Sequence, residues 1–103
     1  LGQGSFNRIL QVSQGFSYQW SDSAACGSKV SNRALNGVAI DPAASYRITV
    51  NSFLADGGDA FSVLKDGTQR LGGAVDVDAF EAYLQANPSG VAPGLQDRIT
   101  RLP

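Results

Sequence analysis

The residues best suited to chemistry lie between Tyr46 and Phe61, in the stretch YRITVNSFLADGGDAF. Phe53 offers a flat ring for stacking, and Asp59 offers two carboxylate oxygens that accept hydrogen bonds from hydroxyl groups. Between them, Gly57 and Gly58 permit backbone angles closed to other residues and let another group approach the main chain closely. Such a set is suited to a small site for a ring that carries hydroxyls. The same residues also fit a plainer reading, in which Phe53 is core, Gly57-Gly58 is a tight turn and Asp59 is a solvated charge.

Nucleophilic catalysis of the familiar kinds is excluded by composition. The 103 residues contain no histidine, so neither a Ser-His-Asp nor a Cys-His system can be assembled from them, nor a zinc site built on imidazole. Cys26 is the only cysteine, so no disulfide can form within these residues, which leaves a thiol or half of a bridge to other sequence. The acidic residues show no EF-hand-like spacing. No catalytic residue and no metal ligand is therefore assigned in this chain, and no cofactor. A formal net charge of −1 without any basic run argues against a nucleic-acid polymer as partner. No apolar run approaches the length of a membrane span.

These residues need a scaffold, and hydrophobic periodicity predicts one. Tyr46, Ile48 and Val50 alternate with Arg47, Thr49 and Asn51, the pattern of a half-buried strand running into Phe53-Leu54. A second alternation, Phe16, Tyr18 and Trp20, predicts a strand with its aromatics facing the core. Arg8 to Ser13, Val30 to Leu35, Val38 to Ile40 and Asp97 to Leu102 read as further short strands. Asn36-Gly37 suits a type I′ hairpin between two of them. Asp76 to Ala86 is the one clear helix, with Asp76 as its cap, Val77, Phe80 and Leu84 along one face, and Asn87-Pro88 as its stop. Ser62 to Leu64 fits either a strand or a helical turn. The expected class is α+β, with several short, mainly antiparallel strands and one helix near the C-terminus. At this length, residues 1–103 make one domain, with a hydrophobic share of 43% that supports a modest core.

NSFLADGGDAF resembles the N-x-F-L-A-x-G-G-D-G-F signature in the C-terminal domain of the secreted bacterial 5′-nucleotidase family. Leu10-Gln11-Val12-Ser13 with Phe16-Ser17-Tyr18 is similar to that domain's LQVSG-x-x-Y segment. Gly27-Ser28-Lys29-Val30, Asn36-Gly37 and Asp41-Pro42 follow in the family's order, so the resemblance runs from Arg8 to Leu102. It implies an incomplete part of a larger α/β/β/α-type domain, and a chain that begins at Leu1 without a Met reads as a piece of a longer protein. It also implies an extracytoplasmic setting and a nucleotide or nucleoside ligand. The partner it implies is the protein's own N-terminal metallophosphoesterase domain, where two divalent metal ions would serve hydrolysis of nucleotide phosphate esters.

Carried over residue by residue, the resemblance makes Phe53 the ring that stacks on the base and Asp59 the acceptor of the ribose hydroxyls, with Gly57 and Gly58 shaping the turn. A second Phe normally covers the other side of the base, just before the LQV segment; here that position is Ile9. Ile9 covers a ring by dispersion but lacks π-stacking, which forfeits roughly 0.5–1.5 kcal/mol. The Gly that normally follows GGD is Ala60, a small departure unless its φ is positive. An alternative of another class remains open: a non-catalytic cell-surface module that keeps the fold and binds a different ligand or a partner protein.

Overall fold

The computed structural model describes residues 8–103. Its secondary structure is α+β: a four-stranded mixed sheet, a one-turn helix, two short 3-10 turns and a ten-residue helix. The chain divides into two compact units, each described by itself. One ends at Ile48 and resumes with Leu95–Pro103; the other is Thr49–Gly94.

The first unit holds the sheet. Strands β1 (Phe16–Ser21), β2 (Val30–Leu35), β3 (Val38–Ala39) and β4 (Ile99–Leu102) lie in the order β3-β2-β1-β4. The β1–β2 and β2–β3 pairs are antiparallel, and β4 joins β1 in parallel. The hairpin between β2 and β3 turns on Asn36 and Gly37 at φ +51° and +79°, the positive angles that a type I′ turn demands at both positions. A bulge interrupts β1–β2 pairing between Ser17 and Gln19, and Asn32 on the opposite strand takes φ +47° there. Tyr18, 7% exposed, is the centre of this unit. Its ring lies 6.5 Å from that of Phe16, and Arg101 of β4 stands 5.2 Å over the Trp20 ring.

Two expected strands are corrected. Arg8 to Ser13 makes no ladder. Side chains tie the segment down instead: the Tyr18 hydroxyl donates to the Leu10 carbonyl at 2.8 Å, and Arg98 Nη1 donates to the Val12 carbonyl at 3.1 Å. Tyr46 to Val50 also forms no strand, and Tyr46 and Ile48 are 43% and 63% exposed. Alternation supplies a face but no partner, and among the described residues no strand pairs with this one. Tyr46 serves the preceding turn, where its hydroxyl accepts from the Asp41 N–H at 3.0 Å while Asp41 Oδ1 accepts from the Ala43 N–H.

The second unit holds α1 (Ser52–Ala55) and α2 (Asp76–Gln85). Helix α2 starts one residue earlier in cap terms than its sequence implies. Val75 is the N-cap, and Asp76 sits in the first turn, where its carboxylate accepts from the Val77 N–H at 2.8 Å and complements the helix dipole. Its apolar stripe of Val77, Phe80 and Leu84 is exposed, and no residue of the helix is buried. Ser62 to Leu64 resolves as a 3-10 turn, Ser62–Asp66.

Candidate functional site

Phe53 stands on a helical turn and not at a strand end. Asn51 has extended backbone angles, and its side-chain Oδ1 accepts from the Leu54 N–H at 2.8 Å, the geometry of an N-cap. The four residues Ser52–Ala55 follow as a single turn. The Asp56 N–H then bonds the Ser52 carbonyl at 3.1 Å, and the Gly57 N–H bonds the Leu54 carbonyl at 2.9 Å. Gly57 closes the turn at φ +86°, a left-handed helix terminus of the kind glycine favours. That position has a second requirement: a Cβ there would fall 2.9 Å from Cδ of Lys65, whose stem lies across it.

Gly58 is needed for a different reason. A Cβ built on it would lie 2.5 to 2.6 Å from three ring carbons of Phe53. The ring thus rests on the glycine backbone, while 59% of the residue remains exposed. Asp59 comes next, exposed, at φ +53°, and Ala60 follows at φ +63°. The condition attached to Ala60 is therefore met. It occupies a left-handed conformation where the family's usual Gly would sit without strain, and an L-residue with a Cβ pays roughly 1–2 kcal/mol. The Phe61 N–H bonds back to the Gly58 carbonyl at 3.1 Å and closes the loop.

Among the described residues, no three acidic or cysteine side chains converge to hold a metal ion. The arrangement presents an aromatic ring open to solvent, seated on a glycine, with a carboxylate one residue further along. Ile9 belongs to the first unit and is 38% exposed. Two residues that hydrogen-bond to this turn escaped sequence reading. Asn51 carried a usable signal, since Asn followed by Ser52 and the apolar run Phe53-Leu54-Ala55 is an N-cap pattern. Arg70 carried none; its Nη1 donates to Asp56 Oδ1 at 3.0 Å and its Nη2 to the Ala55 carbonyl, across 14 and 15 positions of sequence.

The sequence profile described as "5′-nucleotidase, C-terminal domain" matches residues 2–66, more than half of the chain. The chain belongs to the 5′-nucleotidase C-terminal domain family. Two curated relatives are proteins named apyrase, from the mosquitoes Aedes albopictus and Aedes aegypti. They are 44% and 46% identical over 46 residues, which is 45% of this chain and 8% of each relative. The match thus spans under a tenth of the length of those relatives. No solved structure matches. The family description and the relatives' names are those of nucleotide hydrolases. No helix among the described residues is long and apolar enough to cross a membrane.

Proposed function

We propose that this domain is the substrate-recognition portion of an extracytoplasmic nucleotide hydrolase, and that its own task is to hold the nucleoside. The observation that carries the reading is the Phe53 ring, seated on Gly58 and open to solvent one residue before Asp59. A base stacks on the exposed ring through dispersion and its quadrupole. The Asp59 carboxylate accepts hydrogen bonds from the ribose hydroxyls, a charge-assisted contact stronger than a neutral one. Gly58, lacking a Cβ, leaves the space in which the ring is seated.

Bond cleavage is assigned elsewhere, to an N-terminal metallophosphoesterase domain of the same protein. Two divalent ions there would activate water and stabilise the leaving oxygen. The donor chemistry supports that division: the sequence has no histidine, and its described acidic residues do not converge.

Binding of adenosine and 2′-deoxyadenosine to Asp59→Ala and Phe53→Ala variants tests the reading. A hydrogen bond to a charged group is worth about 1.5–3 kcal/mol, so Asp59→Ala weakens adenosine binding roughly ten- to a hundredfold. It hurts the deoxynucleoside less. Phe53→Ala weakens both alike, by about 1–3 kcal/mol. Equal losses for both sugars in Asp59→Ala refute the ribose role, and no loss in Phe53→Ala refutes stacking on that ring.

A further inference from the structure

The helical turn that carries Phe53 is too short to hold itself. One isolated turn fixes several backbone angles for very few hydrogen bonds, the unfavourable nucleus of helix formation. Its front is closed by the Asn51 side chain. Its rear is closed by a residue from far along the chain: the Arg70 guanidinium bonds the Asp56 carboxylate at 3.0 Å and also the carbonyl of Ala55, the last residue of α1. Gln69, just before it, stands at φ +54°, a conformation that costs a residue bearing a Cβ. The chain accepts that cost at the step that delivers Arg70.

Global stability does not account for this contact. The Arg70 and Asp56 side chains are 53% and 72% exposed, and ion pairs in that setting contribute little. What the contact does supply is orientation. A planar fork that engages two acceptors on consecutive residues fixes the angle of the turn they terminate, which a single point charge cannot do.

We infer that Arg70 is a positioning residue for the candidate site: it pins the rear of α1 so that the Phe53 ring stays seated on Gly58. The ligand in this inference is the nucleoside proposed above, but the seat of the ring is a property of the free chain. The two therefore fail separately.

The test uses the 103-residue chain with Arg70→Ala, Arg70→Lys and Asp56→Asn. The Gly58 α-protons lie against the Phe53 ring, so their ring-current shift reports the seat without any ligand. Arg70→Ala moves that shift toward the value of an ordinary glycine and leaves the melting temperature nearly unchanged. Asp56→Asn moves it in the same direction, and Arg70→Lys restores it only in part. Adenosine affinity falls about fivefold in Arg70→Ala, the upper range for an exposed pair. It falls no further when Arg70→Ala is added to Phe53→Ala, as expected of coupled residues. An unchanged Gly58 shift in Arg70→Ala overturns the inference whether or not adenosine binds. So does a large loss of melting temperature, which would make Arg70 a brace of the fold, and so do additive affinity losses in the double variant. If the wild-type chain does not bind adenosine, the nucleoside reading falls, and the Gly58 shift alone decides the role of Arg70.

Discussion

Replacing Gly58 by alanine separates the seat of the ring from the rest of the fold. Gly58 is not among the glycines at positive φ, so alanine fits its backbone conformation. The conflict is steric and specific. The new Cβ would sit 2.5 Å from Cε1 of Phe53 and 2.6 Å from both Cδ1 and Cζ, whereas carbon atoms in contact rest about 3.5–4.0 Å apart. The ring must retreat by about 1 Å or more to restore that spacing. Because Phe53 is 59% exposed, rotating the ring into solvent is easier than displacing the backbone. The stability cost therefore falls at the low end for overpacking, about 1 kcal/mol. Nucleoside binding bears the larger penalty. Losing the stacked arrangement costs about 1–3 kcal/mol, or roughly 5- to 150-fold in Kd. Calorimetric titration with adenosine and thermal unfolding of the same variant measure both quantities. Full affinity in Gly58→Ala refutes the claim that the seated ring is the binding surface. A collapse of the fold refutes the claim that the ring is free to move aside.

Ala60→Gly removes the strain of φ +63°, worth roughly 1–2 kcal/mol, against a glycine entropy cost of roughly 0.5–1 kcal/mol; the variant unfolds at a slightly higher temperature, and a destabilised variant contradicts the strain argument. Burial holds the Tyr18 phenol above its ordinary pKa of about 10. Its folded-state pKa thus exceeds the unfolded one, so the linked stability is fully present below about pH 10 and is lost as pH rises through the folded value. Tyr18→Phe abolishes that alkaline loss in a pH series of unfolding curves, and it also removes the bond to the Leu10 carbonyl, at about 0.5–1.5 kcal/mol. The chain by itself hydrolyses no nucleotide with any divalent metal; phosphate release that disappears on mutating one of its own residues contradicts this.

The readable parts of the fold were those whose signals are local. Asn36-Gly37 demanded positive φ at both positions and obtained it, and the Phe16, Tyr18, Trp20 alternation produced β1 with Tyr18 innermost. The helix near the C-terminus was legible from its period and its Asn87-Pro88 stop, with only its cap displaced by a residue. The failures have one cause. Tyr46 to Val50 and Arg8 to Ser13 carry strand-like residues, but a strand exists only through a partner, which no short window of sequence reveals. Phe53 was misplaced on a strand for the same reason, although Asn51 already held the capping signal that puts it on α1. Arg70 lay beyond local reading altogether, because its partners are 14 and 15 positions away.

The central claim is that the loop from Phe53 to Asp59 holds a nucleoside. Titrating the isotopically labelled chain with adenosine and following its backbone and ring resonances tests this most directly. The account predicts saturable shifts centred on Phe53, Gly57, Gly58 and Asp59, with 2′-deoxyadenosine saturating at higher concentration. Shifts confined to other residues, or none at millimolar adenosine, would contradict it.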